Sequence, residues 1–227
     1  MTIRRLVMLR HGQTEYNLRS RMQGQLDTEL TDLGRAQAVA AAAALAKHQP
    51  LLLVSSDLRR AYDTAVALAE RTGLPVHADE RLRETHLGDW QGMTHREIDA
   101  IAPGARLAWR EDATWAPHGG ENRVDVAARS LPLIAELVAA EPDWGAADEP
   151  ARPVVLVAHG GLIAALTAAL LGLPVDNWPA IGGMGNASWT QLSGYSTDPD
   201  SGAAGFDAIR WRLDVWNASA QVAGDVL

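Results

Sequence analysis

The feature that most constrains this chain is an apolar run near the N-terminus that ends abruptly in charged and titratable side chains. Residues 6–9, Leu-Val-Met-Leu, have the length and composition of a buried β-strand. Arg10, His11 and Gly12 follow this run without a break. Open parallel sheets bind their ligands beyond the carboxyl ends of the strands. The junction therefore predicts an α/β fold with a binding site at the end of the first strand.

Two further apolar runs repeat the pattern. Residues 51–54 precede Ser55 and Ser56, and residues 154–157 precede a second histidine-glycine pair that begins at His159. Segments of helical composition separate the runs, so we expect the strands to pair in parallel. The carboxyl ends of parallel strands lie at one edge of a sheet. The polar groups that follow the three strands are therefore expected to converge.

The remaining elements are predicted from helix and turn signals. Helices are expected at residues 31–47, 58–71, 121–140 and 160–171, and further strands at residues 187–192 and 208–215. Loops are expected at residues 12–30, 141–153 and 194–205, and an insertion of short helices at residues 93–119. The Ser55-Ser56-Asp57 stretch is predicted to cap the helix at residues 58–71. Pro132 is predicted to kink or split the helix at residues 121–140.

Composition excludes several classes of protein. The 227 residues include no cysteine, which excludes disulfides and thiolate metal sites. A net charge of −8 argues against nucleic acid as the main partner. No apolar run reaches the roughly 18–20 residues of a membrane span, and the N-terminus lacks a signal-peptide pattern. We therefore expect a single cytoplasmic domain over residues 1–227, with neither nucleic acid nor a membrane as partner.

The converging polar groups indicate a site for an anion. Arg10 follows the first strand, and Arg59 and Arg60 come one turn into the helix after the second. Adjacent helical residues point about 100° apart, so only one of these two can face the site. Helix N-termini at the same edge add N–H donors. A metal site is the alternative, but the arginines would repel a cation and the chain has no HExxH motif. We expect no metal and no other cofactor.

These motifs resemble those of the histidine phosphatase superfamily, whose fold is phosphoglycerate-mutase-like. The matching stretches occur in the family's order between residues 4 and 193: Leu9-Arg10-His11-Gly12-Gln13-Thr14, Asn17, Ser55-Ser56-Asp57-Leu58-Arg59-Arg60-Ala61, Glu84 with Leu87-Gly88-Asp89-Trp90-Gln91-Gly92, and Val157-Ala158-His159-Gly160-Gly161. The resemblance implies a three-layer α/β/α sandwich with a mostly parallel central sheet. It also implies a helical insertion at about residues 93–120 that covers the site, and a homodimer.

The resemblance further implies roles for individual side chains. His11 would be the phosphorylated histidine and Glu84 the proton donor. Of the two neighbouring arginines, Arg60 matches the family's pocket residue. The rest of the pocket would consist of Arg10, Arg60 and His159, with further substrate contacts from Asn17, Gln23, Gly24 and Gly160.

Longer shared stretches resemble one branch of this superfamily, the glucosyl-3-phosphoglycerate phosphatases. The stretches are Met22-Gln23-Gly24-Gln25-Leu26-Asp27-Thr28-Glu29-Leu30, Trp109-Arg110-Glu111-Asp112-Ala113-Thr114-Trp115 and Gly182-Gly183-Met184-Gly185-Asn186-Ala187-Ser188-Trp189. Members of that branch form glucosylglycerate for methylglucose polysaccharide synthesis. The resemblance thus implies metal-independent hydrolysis of a phosphorylated sugar-glycerate through a phosphohistidine.

Three other functions stay open at this point. A phosphoglycerate mutase primed by bisphosphoglycerate would need a second anion clamp, and mutases of this family carry an adjacent arginine pair in the insertion. Here Arg96, Arg106 and Arg110 are separated, which favours hydrolysis. A broad-specificity phosphatase is the second alternative. The third is an inactive binding module, but neither histidine nor the proton donor is missing.

Several residues have two interpretations. The insertion's tryptophans, Trp90, Trp109 and Trp115, either stack on a sugar or fill the core of the insertion. A glycerate carboxylate has two further candidate partners, Arg110 and His118. The apolar C-terminal region, with Trp211, Trp216 and a tail at residues 217–227, is a candidate dimer surface.

Overall fold

The computed structural model describes residues 2–146, 152–196 and 206–220. These residues form a six-stranded sheet with the order β3-β2-β4-β1-β5-β6. The strands are β1 (Thr2–Arg10), β2 (Leu52–Ser55), β3 (His77–Ala78), β4 (Pro153–Ala158), β5 (Trp189–Ser196) and β6 (Arg210–Ala218). The helices are α1 (Glu15–Leu18), α2 (Asp32–Leu45), α3 (Arg59–Thr72), α4 (His95–Ile101), α5 (Ala105–Glu111), α6 (Arg123–Ala140) and α7 (Gly160–Leu170). None of the described helices is long and apolar enough to span a membrane.

The sheet is mostly parallel, as predicted. Strands β3, β2, β4 and β1 pair in parallel, and β5 and β6 are added antiparallel at one side. The two-residue strand β3 was not predicted, because a strand so short has no periodic pattern.

Alternating side chains of β1 divide the core into two parts. Leu6 and Met8 pack with residues of α6 and α7 on one face of the sheet. Val7 and Leu9 pack with residues of α2 and α3 on the other face. Successive side chains of a strand point to opposite faces, so a strand buried on both faces reads as a continuous apolar run. The predicted three-layer α/β/α sandwich is confirmed.

The strand register brings the two predicted histidines together. Arg10 of β1 lies opposite Ala158 of β4, so His11 and His159 leave the sheet side by side. The His11 N–H donates to the carbonyl oxygen of Ala158 at 3.0 Å. On the other side of β4, the Ser56 N–H donates to the carbonyl oxygen of Val157 at 2.9 Å. Three strand ends therefore meet at one place.

Two local predictions are corrected by the structure. The segment at residues 12–30, predicted as a loop, contains the one-turn helix α1, which is closed by reciprocal hydrogen bonds between Thr14 and Asn17. The predicted serine-aspartate cap of α3 is wrong, because Leu58 occupies the cap position and makes no side-chain bond. The Arg59 N–H instead donates to Asp27 Oδ1 at 2.8 Å. The carboxylate of Asp27, in the loop that follows β1, thus accepts the hydrogen bond that the predicted cap would have accepted.

Helix α6 is continuous through Pro132, so of the two predicted effects of this proline, a kink or a split, the split is wrong. The helix begins at Arg123 and is capped by Asn122. Part of the loop predicted at residues 194–205 belongs to β5, which extends to Ser196. Residues 147–151, 197–205 and 221–227 lie outside the described residues.

The insertion forms its own small apolar cluster. Its two short helices, α4 and α5, pack around Met22, Leu87, Trp90 and Ile98. The Trp90 ring centroid lies 5.3 Å from that of Trp115 and 6.1 Å from that of Trp109. Of the two interpretations of these tryptophans, core filling therefore applies to Trp90.

Substituting Gly34 tests the close packing of α2 on the loop that follows β1. A Cβ atom on Gly34 would overlap the carbonyl oxygen of Gln13. Alanine favours a helix over glycine by about 1 kcal/mol. Overpacking typically costs about 1–3 kcal/mol. Here the clashing atom belongs to the backbone, so it cannot move aside as a flexible side chain would. We expect Gly34→Ala to lower the free energy of unfolding by about 2 kcal/mol in urea titrations. Gly182→Ala is the control, since no atom lies within 4 Å of its Cβ position. Equal urea midpoints for the two variants would contradict this packing argument.

Candidate active site

A cavity of about 310 Å³ opens beside the carboxyl end of β1. Most residues predicted to form the site line it: Arg10, His11, Asn17, Gln23, Gly24, Arg60 and Glu84. His159 is fully buried behind this lining, with its ring centroid 5.2 Å from that of His11. A Cβ atom on Gly160 would lie 3.5 Å from Arg10 Nε, so Gly160 packs beside this arginine.

The His11 imidazole is held in one tautomer. Its Nδ1 atom lies 2.7 Å from the carbonyl oxygen of Gly12. A carbonyl oxygen can only accept, so Nδ1 carries the hydrogen and Nε2 keeps its lone pair. Arg60 Nε lies 3.3 Å from this Nε2 atom and donates to it. The Nε2 lone pair of His11 is therefore directed toward the guanidinium of Arg60, which donates to it.

Both imidazoles are neutral at neutral pH. Burial lowers the pKa of His11 well below 6.5, and the charges of Arg60 and Arg10 lower it further. Burial also lowers the pKa of His159 well below 6.5, again with a contribution from Arg60. A neutral imidazole has the lone pair that a nucleophile needs.

Arg60 is a buried cation attached to a distant loop. It projects from the first turn of α3, and none of its surface is exposed. Its Nη1 and Nη2 groups donate to the carbonyl oxygens of Leu26 and Gly24 at 2.8 and 2.7 Å. Burial lowers the pKa of Arg60 to about 10, which still leaves it charged at pH 7. The neighbouring Arg59 is exposed and pairs with Glu29 at 2.6 Å instead.

Two buried polar atoms of the site have no partner in the described part of the chain. Arg10 donates through Nη1 to the carbonyl oxygen of Met184, but its Nε atom is left unbonded. His159 Nε2 lies 3.0 Å from Ser56 Oγ, whereas its Nδ1 atom is unbonded. Ser56 Oγ already accepts from the Leu58 N–H at 3.3 Å, so its own hydrogen is available to His159 Nε2. When Ser56 donates to Nε2 in this way, the ring hydrogen of His159 lies on Nδ1, and both unbonded atoms are donors suited to an oxyanion.

Two amide side chains present N–H donors to the cavity. Asn17 Oδ1 accepts from the Thr14 N–H and from Asn186 Nδ2, each at 3.1 Å. Gln23 Oε1 accepts from the hydroxyls of Thr14 and Thr28 at 2.9 and 2.7 Å. Because each amide oxygen is held by the protein, the NH₂ groups remain for a ligand. The lining is thus rich in donors, as an anion requires.

Glu84 brings a carboxyl group to the same cavity. Its two carboxylate oxygens accept from three backbone N–H groups, those of Thr85, Gly161 and Leu162, at 2.8, 3.1 and 3.0 Å. Two of these groups belong to the first turn of α7. A Cβ atom on Gly161 would lie 2.6 Å from Glu84 Oε1, so this close approach requires glycine. The first turn of α7 therefore fixes where the carboxyl group points.

Arg129 of α6 supports Glu84 and was missed by the sequence analysis. Its guanidinium donates to the carbonyl oxygens of Arg81, Arg83 and Glu84 at 2.7, 2.8 and 3.0 Å. It also pairs with Glu121 at 2.8 Å. The sequence does contain a signal for Arg129. This residue lies three positions after Val126, on the face of α6 whose apolar residues are buried.

Other predicted ligand contacts lie elsewhere. His118 is almost fully exposed and faces Asp89, with Nδ1 3.0 Å from Oδ2. Neither His118 nor Arg110 lines the cavity, whereas Arg21, His95 and Trp109 do. Within the described ranges, no group of three or more histidine, aspartate or glutamate side chains is placed to hold a metal ion.

The chain is similar to known phosphatases over most of its length. Residues 6–203 match the family model of the histidine phosphatase superfamily (branch 1). The chain is 78% identical, over 100% of both chains, to the glucosyl-3-phosphoglycerate phosphatase of Mycobacterium tuberculosis. It is also 78% identical, over 100% of both chains, to the protein of that name from Mycolicibacterium vanbaalenii. A mycobacterial glucosyl-3-phosphoglycerate phosphatase solved with VO3 is 79% identical with a TM-score of 0.91, over 95% of this chain and 100% of that one. The chain therefore belongs to the histidine phosphatase superfamily.

Proposed function

We propose that this chain is a metal-independent phosphatase that converts glucosyl-3-phosphoglycerate to glucosylglycerate and phosphate through a phosphohistidine. The observation that carries the proposal is the geometry of His11, a neutral imidazole whose Nε2 lone pair lies beside the buried guanidinium of Arg60. The substrate is inferred from the names of the two relatives that match the chain over its whole length.

In the first half-reaction, His11 Nε2 attacks phosphorus and the bond to the ester oxygen breaks. The electron pair of that bond goes to the leaving oxygen, which takes a proton from the Glu84 carboxyl group. Arg10 and Arg60 neutralise charge on the equatorial oxygens, and the orphaned Nδ1–H of His159 offers a further donor. These charged and polar groups are in place before the substrate arrives, so little reorganisation is needed.

In the second half-reaction, water attacks the phosphohistidine. Glu84, now a carboxylate, accepts a proton from this water, and the phosphorus–nitrogen bond breaks to return the electron pair to His11 Nε2. Dividing the displacement into two steps gives each of them a good nucleophile or leaving group. Phosphate then leaves the guanidinium groups.

The insertion favours hydrolysis over the mutase alternative. A mutase needs a second cation cluster for the other acidic group of its substrate. Arg106 is paired with Asp99 at 2.6 Å, and neither it nor Arg96 or Arg110 lines the cavity. The arginines of the insertion thus form no second clamp for an anion.

Assembly and location form a further part of the proposal. We expect a homodimer, as the family resemblance implies, of single-domain protomers in the cytoplasm, and light scattering would measure the assembly. Within the described residues β6 is an edge strand that pairs only with β5. Trp211 and Trp216 pack partly against the hydrophobic core.

Substituting His11 tests the nucleophile. We expect His11→Ala to lower phosphate release by at least about a thousandfold, because the covalent route is lost. Phosphate release is assayed in EDTA with glucosyl-3-phosphoglycerate. His118→Ala is the matched control, since His118 lies outside the cavity, and it should retain wild-type turnover. Substantial turnover by His11→Ala, or loss of wild-type activity in EDTA, would contradict the mechanism.

Substituting Glu84 tests the proton donor. A glucosylglycerate oxygen is a poor leaving group that needs a proton, whereas nitrophenolate leaves readily without one. We therefore expect Glu84→Gln to lower kcat on glucosyl-3-phosphoglycerate by about 100-fold or more. The loss on p-nitrophenyl phosphate should be much smaller. Equal losses on the two esters would remove Glu84 from the acid role.

The histidine pKa shifts can be measured directly by NMR. His11 and His159 should stay neutral as the pH falls from 8 to 6, because burial and the nearby guanidiniums lower their pKa values well below 6.5. Unfolded histidines take up protons near pH 6.5, so the free energy of unfolding should also decrease as the pH falls below that value. A titration midpoint of 6.5 or higher for either imidazole would contradict the assignment.

A further inference from the structure

The cavity extends beyond the groups that hold phosphate. Small-molecule sites have volumes of roughly 300–1,000 Å³, and the cavity reaches this range at about 310 Å³. Its lining continues from the phosphate groups to the start of α4 at His95, to Trp109 of α5, and to the buried apolar side chains of Met22 and Leu87. A substrate whose phosphate binds beside His11 therefore has the rest of its molecule in contact with the insertion.

Trp109 offers an unsatisfied donor in this region. Its indole Nε1 atom is buried and has no hydrogen-bond partner among the described residues. The ring itself is fixed, because it packs edge-on against Trp90 with the centroids 6.1 Å apart. Buried indole N–H groups usually find a partner. An orphaned donor on a fixed ring that lines a cavity indicates a ligand acceptor.

His95 offers a second polar group that the protein leaves unused. Its ring makes no hydrogen bond to any described residue, and it lines the same cavity. Burial and the charges of Arg106 and Arg110 lower the pKa of His95, so the ring is neutral at pH 7. A neutral imidazole presents one donor and one acceptor, which is the pattern that a hydroxyl group can satisfy.

The two histidines of the cavity respond to different charges. Arg60 and Arg10 shift the pKa of His11, whereas Arg106, Arg110 and Asp99 act on His95. Besides burial, the groups that act on the pKa of His95 thus belong to the insertion. Arg21, another cation of the lining, is partly balanced by Glu97 at 3.8 Å.

We propose that Trp109 Nε1–H and the His95 imidazole form a subsite for the hydroxyl groups of the substrate's sugar, with Met22 and Leu87 against the sugar's C–H surface. This inference rests on the proposed function and names residues that select its substrate. Uncharged donors and acceptors beside apolar walls suit a neutral polyol better than a second phosphate. The insertion thus recognises the leaving group rather than the reacting phosphorus.

The test compares two esters that differ only in the sugar. The kcat/KM values for glucosyl-3-phosphoglycerate and 3-phosphoglycerate are measured for wild type, Trp109→Phe and Trp115→Phe. Trp109→Phe keeps the aromatic ring and removes the N–H. The ratio of the two kcat/KM values should fall about fivefold, mainly through KM for the glucosylated ester, as for the loss of one neutral hydrogen bond. Trp115→Phe is the control: Trp115 packs in the same apolar cluster but does not line the cavity.

His95 provides an independent pair of variants should Trp109→Phe fold poorly. His95→Leu removes both polar atoms and should lower the same ratio, whereas His95→Gln keeps a donor and an acceptor and should restore part of it. An unchanged ratio, or an equal loss on both esters, in Trp109→Phe or in His95→Leu would overturn the subsite.

The same kcat/KM values distinguish failure of the proposed function from failure of the subsite. A wild-type enzyme that shows no preference for the glucosylated ester would overturn the substrate assignment, and the sugar subsite with it. A wild-type preference that Trp109→Phe or His95→Leu retains in full would overturn the subsite alone.

Discussion

The buried guanidinium of Arg60 is the group on which the rest of the site depends. It donates to the carbonyl oxygens of Gly24 and Leu26 and to His11 Nε2, so one side chain joins α3, the loop after β1 and the end of β1. A buried charge without a hydrogen-bonded carboxylate is expensive. Here backbone carbonyl dipoles, with Glu84 and Asp27 at longer range, stabilise it. Burial lowers the pKa of His11, and the charge of Arg60 lowers it further, so this buried cation both attracts an anion and helps to keep the imidazole unprotonated.

Two unpaired polar atoms of the site lower the stability of the folded chain and leave donors for a ligand. Arg10 Nε and His159 Nδ1 are buried without partners, and such atoms forfeit hydrogen bonds that water would supply in the unfolded chain. The surrounding structure holds them in place by other contacts, namely the carbonyl oxygen of Met184 for Arg10 and the hydroxyl of Ser56 for His159. Catalytic groups that are fixed before binding need no reorganisation in the transition state. The unpaired donors are consistent with that requirement.

Sequence reasoning succeeded where the determining pattern is local. The apolar runs before His11 and His159 predicted two central strands, and their parallel register brings the two imidazoles together. Sequence reasoning failed where the hydrogen-bond partner of a group lies far away along the chain. Asp27 caps α3 across 32 residues, and Arg129 reaches the Glu84 carbonyl across 45 residues. The serine-aspartate cap failed because Ser56 is bonded to His159 and Asp57 to Arg83. No local propensity shows which of several acceptors the folded chain will offer.

The two regions of the cavity explain how one mechanism can serve a particular leaving group. Burial lowers the pKa of both His11 and His95; the charges that lower it further come from β1 and α3 for His11 and from the insertion for His95. In the proposed mechanism, changes in α4 or α5 alter contacts to the leaving group and leave the groups around His11 in place. Glu84 stands between these regions, because the first turn of α7 fixes its carboxyl group, which the proposed mechanism assigns to the leaving oxygen. The part of the chain that selects a substrate can thus vary while the sheet edge that performs the chemistry stays the same.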